Sequence, residues 1–319
     1  MTKKILITGG NGFIGTALRD KLLSKGYSVR ILGRGTAKKS DNPNVEYVQA
    51  NYKNINSLAQ AMQGCQGVVH LAAAIFAYSF EEFEAANAGV TANLAQAAAQ
   101  VEGLETFLYM SSQAAGGYSK DFNNPRTEDQ APDPISDYGK TKLSGERALE
   151  QHLPKEIKKI VFRPPIVYGK NDSGVSKIAA WVKRGIMVNT SKGDTYFSFV
   201  HVSDLVEAVS IAFELEQAAG QTFYICEEKS YTWKYFIRTM ADAMGVKRVF
   251  MFTAPLWMLK ITAWVYETAA RWFKFVPALN YDKVKEAAID GHWVCSSKKW
   301  VNLTGQKFTS LEEGLKKSF

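Results

Sequence analysis

A glycine-rich turn lies between a short apolar strand and a helix-forming segment at the start of the chain. The apolar run 5–7 leads into Thr8, and Gly9, Gly12 and Gly15 then recur at every third position. Glycine tolerates a positive φ in the turn, lets backbone N–H groups approach a pyrophosphate, and lets the helix pack closely on the strand. The helix N-terminus adds N–H donors and a partial positive charge. This order of elements predicts a dinucleotide-binding site.

The first two thirds of the 319-residue chain alternate short apolar segments with longer helical patterns. Strands that are rich in Val, Ile and Leu and alternate with helices indicate an α/β protein with a doubly wound parallel (Rossmann) sheet. The predicted strands are Lys3–Thr8, Ser28–Leu32, Val45–Gln49, Gly67–Leu71, Thr106–Met110 and Lys159–Phe162. The predicted helices are Gly12–Lys25, Ile55–Gln63, Glu81–Val101 and Tyr138–His152.

The alternation of strand-like and helix-like segments becomes less regular after Gly169. No Pro/Gly-rich linker separates this later part of the chain from the first. The predicted elements here are a helix over Ser173–Arg184, a strand over Thr195–Val202, a helix over Ser203–Glu216, a strand over Thr222–Cys226 and mostly helix from Tyr231 onward. We therefore predict a dinucleotide-binding domain over 1–170, to which 195–226 returns. Residues 171–194 and 227–319 are predicted to form a smaller, mostly helical and interleaved substrate-binding domain.

Composition argues against a nucleic-acid-binding protein, a disulfide-rich protein and a membrane-spanning protein. The net charge is +8, but no long Lys/Arg block with interleaved aromatic residues indicates a nucleic-acid surface. Three scattered cysteines favour buried thiols in a reducing cytoplasm over a disulfide framework or a metal site. No signal region or membrane-spanning run is recognised, so we expect a cytoplasmic protein.

The end of the second predicted strand indicates which dinucleotide binds. An acidic residue there would bind the adenosine ribose hydroxyls of NAD, but the segment VRILGRG has none. Arg34 lies at its tip, and Lys38 and Lys39 follow. A guanidinium can hold a 2′-phosphate through paired, charge-assisted hydrogen bonds. Arg34 therefore favours NADP, whereas an exposed loop arginine with no such role would leave NAD as the cofactor.

Tyr138 and Lys142 are four residues apart in a predicted helix, so both lie on one helical face. Ser136 or Asp137 is expected to cap this helix. A free tyrosine has a pKa of about 10, but a cation about 4 Å away contributes roughly 4 kcal/mol at an effective dielectric of about 20. Lys142 is therefore predicted to lower the pKa of Tyr138, so that the phenol can exchange a proton with a substrate oxygen.

A second polar group is expected beside the phenol. The predicted strand Thr106–Met110 ends at Ser111 and Ser112, and ligands bind at the carboxyl edge of such a sheet. We choose Ser112 as the hydroxyl that polarises the same substrate oxygen. A Ser-Ser pair or a Y-x-x-x-K pattern alone is common, but both together with the glycine turn indicate a hydride-transfer enzyme.

These motifs resemble the extended short-chain dehydrogenase/reductases, the NAD-dependent epimerase/dehydratase-like superfamily. Matching segments extend over nearly the whole chain and read TGGNGFIG, VVHLAAA, FEAANAGVTANL, FLYMSSQAA, DYGKTKLSGE, FRPPIVYG and FSFVHVSDLVEAV. The resemblance implies that Tyr138 is the catalytic acid/base. It also implies that Lys142 lowers the pKa of the phenol and binds the nicotinamide ribose. Ser112 stands where the family has a Ser or Thr ahead of its tyrosine.

The resemblance also implies that the segments HLAA and RPPIVYG line the cofactor groove, with Asn87 close by. Asn51 stands after the third strand, where the family often has an acidic residue. The candidate cofactor-binding residues are Gly9, Asn11, Gly12, Phe13, Ile14, Gly15, Arg34, Asn51, Leu71, Ala72, Ala73, Asn87, Ser111, Tyr138, Lys142, Pro165 and Val167.

Departures from the family pattern narrow the range of expected substrates. Sugar dehydratases carry an Asp-Glu pair just past the serine, but this chain has Gln113-Ala114. Nucleotide-sugar enzymes carry an Arg-Asp-Phe segment where this chain has Phe197-Ser198-Phe199, so the arginine that would meet a diphosphate is lost. The motif style resembles the 3β-hydroxysteroid dehydrogenase and dihydroflavonol reductase branches. Those branches act on larger, less charged ketones and alcohols, so the resemblance implies an apolar substrate that is steroid-, flavonoid- or keto-acid-like.

Two alternative functions remain open. One is a nucleotide-sugar 4-epimerase, which uses the same catalytic groups with a tightly bound NAD. The other is a dinucleotide-binding sensor or scaffold without catalysis. Such proteins often lose the phenol or the ammonium, and this chain keeps both.

The aromatic segment 255–275 has three interpretations. Trp257, Ile261, Trp264 and Trp272 recur near helical spacing, which is typical of a helix packed on the substrate domain. The same segment could form a lid over an apolar pocket or an interfacial helix in contact with a membrane, with Lys260, Arg271 and Lys274 at headgroup level. By analogy with the superfamily, the helices Glu81–Val101 and Tyr138–His152 could form a homodimer contact.

Overall fold

The computed structural model describes residues 2–33, 35, 40–189, 195–277 and 279–319. Seven strands form its central sheet: β1 (Lys4–Thr8), β2 (Ser28–Gly33), β3 (Val45–Gln49), β4 (Gly67–His70), β5 (Thr106–Met110), β6 (Lys158–Arg163) and β11 (Gln221–Tyr224). Six shorter strands pair outside this sheet: β7 (Ile166–Tyr168), β8 (Ile186–Asn189), β9 (Tyr196–Phe197), β10 (Phe199–His201), β12 (Tyr231–Thr232) and β13 (Phe250–Thr253).

The helices cover both faces of the sheet and form most of the C-terminal part. They are α1 (Phe13–Ser24), α2 (Ile55–Met62), α3 (Phe80–Glu84), α4 (Val90–Ala98), α5 (Gln113–Gly116), α6 (Asp137–His152), α7 (Ser173–Lys183), α8 (Val202–Glu214), α9 (Trp233–Ala243), α10 (Leu256–Phe273), α11 (Tyr281–Ala287), α12 (Lys298–Thr304) and α13 (Leu311–Ser318). Among the described residues, no helix combines the length and the hydropathy needed to cross a bilayer.

The strand order in the central sheet is β11-β6-β5-β4-β1-β2-β3, and every neighbouring pair is parallel. The order reverses between β1 and β4, because the chain first builds outward through β2 and β3 and then resumes on the other side of β1. Such a reversal leaves a crevice at the carboxyl ends of the strands, where ligands bind in this class of fold. The predicted doubly wound parallel sheet is confirmed.

The strand residues alternate between two apolar layers, because successive side chains of a strand point to opposite faces. Ile5 and Ile7 of β1 pack with α1 and α8 on one face. Leu6 packs with α2, α4 and α6 on the other face. The sheet is therefore covered on both sides, as parallel sheets require.

Two segments differ from their predicted form. The predicted strand Thr195–Val202 is divided at Ser198, whose hydroxyl donates to the Cys295 carbonyl and accepts from the Cys295 N–H. Its halves pair with different strands, β9 with β12 and β10 with β7. The predicted helix Glu81–Val101 contains a π-helical turn over Ala85–Gly89 and ends earlier, at Ala98. Periodicity alone shows neither the tertiary contact nor the change in winding.

The cysteines are buried thiols, as predicted. Cys65, Cys226 and Cys295 are free, and the Sγ atoms of Cys226 and Cys295 lie 3.7 Å apart.

Candidate active site

The glycine turn after β1 depends on the absence of side chains at two positions. Gly9 has a φ of +70°, and a Cβ there would lie 2.9 Å from the Ala72 nitrogen. A Cβ at Gly15 would lie 2.3 Å from the Gly9 carbonyl oxygen. Gly12 forms the N-cap of α1. Because the first N–H groups of a helix have no intrahelical partner, this turn is suited to an anionic group such as a pyrophosphate.

A buried hydrogen-bond chain fixes the end of β4 beside this turn. Thr8 Oγ1 lies 2.7 Å from His70 Nδ1 and accepts from the Ala72 N–H at 3.1 Å. His70 Nε2 lies 3.1 Å from Thr91 Oγ1. Burial lowers the pKa of His70 to about 3, so the imidazole is neutral at physiological pH. The backbone of Leu71 and Ala72 is thereby held against the glycine turn, where the sequence predicts the groove.

Asn87 connects this segment to the helix that carries Tyr138. Its Oδ1 accepts from the Ala74 N–H at 2.7 Å, and its Nδ2 donates to Thr141 Oγ1 at 2.9 Å. The side chain is buried and lies in the π-helical turn, a form that is frequent at functional sites. Asn87 therefore positions both walls of the groove, and its direct contact with a cofactor stays a prediction.

The residues predicted to choose the dinucleotide are only partly described. Arg34, Lys38 and Lys39 lie outside the described residues, so their role stays a prediction. Asn51 is exposed just beyond β3, where its Oδ1 accepts from the Lys53 N–H at 2.9 Å. Gln49 at the end of β3 is paired with Gly33 at the end of β2, which places both strand ends on the crevice edge.

The structure brings Ser112 and Tyr138 together. Ser112 follows β5 and caps α5 by accepting from the Ala114 N–H at 3.2 Å. Its hydroxyl is also close enough to the Tyr138 phenol to lower the pKa of that phenol. Tyr138 lies in the first turn of α6, which Ser136 caps by accepting from the Gly139 N–H at 3.1 Å. The two hydroxyl groups that were predicted to act on one substrate oxygen are therefore adjacent.

Lys142 occupies the same region but has other partners. Its Nζ donates to the Met110 carbonyl at 2.6 Å and lies 4.3 Å from the centre of the Tyr109 ring. Burial lowers the pKa of Lys142 to about 7, while the Glu146 carboxylate raises it. The ammonium therefore fixes the end of β5, next to the serine pair.

The predicted lowering of the Tyr138 pKa is wrong for this arrangement. Burial of the phenol and the nearby Glu286 carboxylate raise its pKa to about 12, against a lowering effect of the Ser112 hydroxyl. Desolvation of the phenol, which the sequence does not show, outweighs the expected effect of the Lys142 charge. A phenol with this pKa is protonated at neutral pH, so it is set to donate a proton.

Two acidic residues of α11 belong to the site and were missed by the sequence analysis. The Asp282 carboxylate accepts from the Asp137 and Tyr138 N–H groups at 2.8 Å each. Glu286 lies one turn later; burial raises its pKa, and the nearby Ser136 hydroxyl lowers it. Their spacing in the sequence shows that they share a helical face. Nothing in the sequence indicates that this face docks on the start of α6.

The remaining predicted residues surround this centre. The Ser111 hydroxyl donates to Glu146, which also forms a nearly buried, two-point ion pair with Arg163. The Pro164 carbonyl accepts from the Gln113 N–H at 2.9 Å, which places Pro165 close to the serine turn. Val167 is paired with Val200 in the β7–β10 ladder.

Phe13 connects the glycine turn with the segment that follows β7. A Cβ at Gly169 would lie 3.4 Å from the Phe13 ring. Phe13 and Ile14 form the first turn of α1 and pack partly buried against the apolar layer on that face of the sheet. Their contacts, together with those of Asn11 and Ala73, with a cofactor stay predictions.

The role of Glu286 can be tested through the pH dependence of catalysis. In the predicted hydride transfer to a carbonyl group the phenol must be protonated, so we expect activity to be lost as the pH rises through the pKa of Tyr138. Because the carboxylate raises that pKa, Glu286→Gln is expected to move the alkaline loss of activity to lower pH. The measurement is kcat for ketone reduction against pH. Glu102→Gln, the same change at an exposed position, is the control; an unshifted Glu286→Gln profile would contradict the assignment.

Several known proteins are similar to this chain in sequence. The uncharacterized protein y4nG of Sinorhizobium fredii is 32% identical over 212 residues, which span 65% of this chain and 52% of y4nG. The chain thus matches about half the length of that relative. A UDP-glucose 4-epimerase of Vibrio cholerae is 28% identical over 286 residues, 86% of this chain and 83% of the epimerase.

A dehydrogenase and a solved structure are also similar to this chain. A decarboxylating sterol-4-alpha-carboxylate 3-dehydrogenase of Dictyostelium discoideum is 26% identical over 256 residues, 76% of this chain and 77% of the enzyme. The structure of a human epimerase family protein with NADPH superposes with a TM-score of 0.78 at 18% identity and covers 99% of this chain and 98% of that one. The family model described as NAD dependent epimerase/dehydratase family matches residues 5–226. The chain therefore belongs to the NAD dependent epimerase/dehydratase family.

Proposed function

We propose that this protein is an NADP-dependent oxidoreductase that reduces the carbonyl group of an apolar, steroid-, flavonoid- or keto-acid-like substrate to a secondary alcohol. The observation that carries this proposal is the pair of neighbouring hydroxyl groups, Ser112 and a protonated Tyr138, at the carboxyl end of β5. A phenol with a pKa of about 12 suits a general acid better than a general base at neutral pH.

The residues fit a dinucleotide, because the close packing at Gly9 and Gly15 leaves room for backbone only. The turn 9–15 would hold the pyrophosphate. Lys142 of α6, whose Nζ lies at the end of β5, would hold the nicotinamide ribose. When bound, the reduced nicotinamide supplies the hydride to the carbonyl carbon. Ser112 holds the carbonyl oxygen by a hydrogen bond, and the Tyr138 hydroxyl gives that oxygen its proton.

The preference for NADP rests on Arg34 and is testable by ligand-induced stabilisation. A ligand that binds the folded state raises the melting temperature in proportion to the logarithm of its concentration over Kd. We expect a larger shift with NADP than with NAD at equal concentration, and an Arg34→Ser variant that loses this difference. Equal shifts in the unaltered protein would contradict the preference.

The alternative function is that of a nucleotide-sugar 4-epimerase, which the similarity to the Vibrio cholerae enzyme favours. Two features of the segment 197–199 oppose it. The Phe199 ring is buried and stacks on Phe236 at 4.9 Å, and the Ser198 hydroxyl is bonded to Cys295. An apolar, internally bonded segment supplies no cation for a diphosphate.

A substrate screen distinguishes the two functions. The purified protein is tested for oxidation of NADPH with apolar ketones and for interconversion of UDP-sugars with NAD. Ketone-dependent oxidation supports the reductase. UDP-sugar interconversion, together with NAD that stays bound through purification, would replace it with the epimerase.

We also propose that the protein is a homodimer. A groove of about 630 Å³ lies between the α3–α4 segment and α6. Larger residues (Phe80, Glu81, Glu84, Arg147 and Gln151) line part of it, and small residues, which would admit helices of a second copy, line the rest. The small residues are Ala85, Ala88, Gly89, Ala92, Ser144 and Ala148.

The dimer can be tested at Ala148. A long, charged side chain there would fill the groove, so Ala148→Arg is expected to yield a monomer in sedimentation velocity. Gln100→Arg adds the same charge at an exposed position outside the groove lining and serves as the control. An unaltered protein that sediments as a monomer would refute the dimer.

A further inference from the structure

Helix α10 is apolar on two opposite faces. Leu259, Ala263 and Ala270 are buried on its inner face. Trp257, Trp264 and Trp272 follow one another at seven and eight residues, so they form a stripe on the other side of a helix with 3.6 residues per turn. These three indoles are 65%, 58% and 81% exposed. The prediction that this segment is simply a packed helix is therefore right for its inner face and wrong for its tryptophans.

The exposed apolar surface continues onto the small sheet of β8 and β13. Ile186 is paired with Phe250 and Val188 with Phe252, so these four side chains share one face of the sheet. Val188 packs into the cluster at the base of α10, which places this face beside the helix. Phe250 is 69% exposed, and Ile186 and Phe252 are exposed as well. We call the combined surface the α10 surface; its members are Ile186, Phe250, Phe252, Trp257, Ile261, Trp264, Val265 and Trp272.

Positive charge borders this surface. Lys260 and Arg271 are exposed and lie beside the tryptophan stripe by helical spacing. Lys274 follows at the C-terminus of the helix. Glu267, the acidic residue of α10, is directed toward α11, because its carboxylate accepts from the Tyr281 N–H at 2.7 Å. The outer side of α10 therefore carries cations and indoles together.

We propose that the α10 surface binds the headgroup region of an anionic lipid bilayer, with α10 lying in the plane of the membrane. Indole rings partition to the membrane interface, and basic residues beside them bind anionic headgroups. The stripe from Trp257 to Trp272 extends about 22 Å along one side of the helix, which fits a planar surface. The inner face is held against the protein, so the helix lies on the bilayer.

Other occupants fit the observations less well. A lid would turn its tryptophans toward the protein, whereas these point away from the buried face. A second copy bound through the same surface would place the two sets of cations close together, because a twofold contact repeats one patch on both sides. An anionic bilayer satisfies the indoles and the cations at once.

The test is sedimentation of the full-length protein with vesicles of phosphatidylcholine alone or mixed with phosphatidylglycerol. We expect binding to the mixed vesicles that weakens with added salt. The paired substitution Trp264→Gln with Trp272→Gln is expected to weaken binding at least about tenfold, because burial of large apolar side chains supplies the affinity. Lys260→Gln with Arg271→Gln is expected to weaken it about fivefold per charge on the mixed vesicles.

Phe319→Gln, which removes an exposed aromatic ring outside the α10 surface, is the matched control and should bind like the unaltered protein. Melting curves of all variants establish that each is folded. A folded protein that does not bind the mixed vesicles would overturn the proposal. Trp variants that bind these vesicles with unchanged affinity would overturn it as well. Self-association that the Trp variants abolish, without vesicle binding, would assign the surface to a second copy instead.

Discussion

Replacing Tyr138 with Phe is expected to lower kcat for ketone reduction by roughly 10²–10⁴-fold, the usual contribution of a positioned general acid. The substitution removes one oxygen atom and keeps the ring. The cradle for the dinucleotide lies at Gly9 and Gly15 and does not depend on this hydroxyl. Dinucleotide binding, measured by titration, should therefore be retained within a few-fold.

Tyr27→Phe is the matched control for this prediction. Tyr27 precedes β2, at the opposite end of the strands from the crevice, and its hydroxyl reaches Glu214 at 3.4 Å. It should leave kcat unchanged. If Tyr138→Phe keeps full activity, the proton comes from another group. If the unaltered protein binds NADP but turns over no carbonyl or sugar substrate, the sensor or scaffold function becomes the better description.

Gly15→Ala is expected to weaken dinucleotide binding by at least about tenfold and to lower the stability of the protein. A methyl group at position 15 would lie 2.3 Å from the Gly9 carbonyl oxygen and 2.5 Å from the Gly10 Cα, so the backbone of the turn must move. Overpacking of this kind costs about 1–3 kcal/mol. The higher helix propensity of alanine offsets only about 1 kcal/mol.

The measurements are a titration with NADP and a melting curve for each variant. Gly174→Ala provides the comparison, because a Cβ there would meet only the flexible Asp172 carboxylate at 3.4 Å. It should bind NADP normally and melt no lower than the unaltered protein. A Gly15→Ala variant with unchanged affinity would show that this turn does not hold the pyrophosphate.

The sequence predicted the parts of the site that local rules control. The glycine spacing after β1 and the serine pair after β5 each depend on a strand and the residues that follow it, so their positions could be read directly. Tyr138 and Lys142 could be placed on one helical face in the same way. The meeting of Ser112 with Tyr138 follows from the order of elements in a parallel sheet.

The parts that sequence reasoning missed depend on contacts between distant segments. Asp282 and Glu286 reach the start of α6 only because α11 docks there. The pKa of Tyr138 was predicted in the wrong direction, because burial is a property of the folded chain. Trp264 was placed on a regular apolar stripe, but periodicity does not distinguish a buried stripe from an exposed one.

The docking of α11 couples the position of Tyr138 to the pKa of its hydroxyl. The Asp282 carboxylate accepts from the Tyr138 N–H, and the Glu286 carboxylate adds to the effect of burial in raising the pKa of the phenol. Any displacement of α11 would withdraw both carboxylates in a single movement, loosening the first turn of α6 and making the phenol more acidic. The same movement would therefore change both the position of the phenol and the pH range over which it stays protonated.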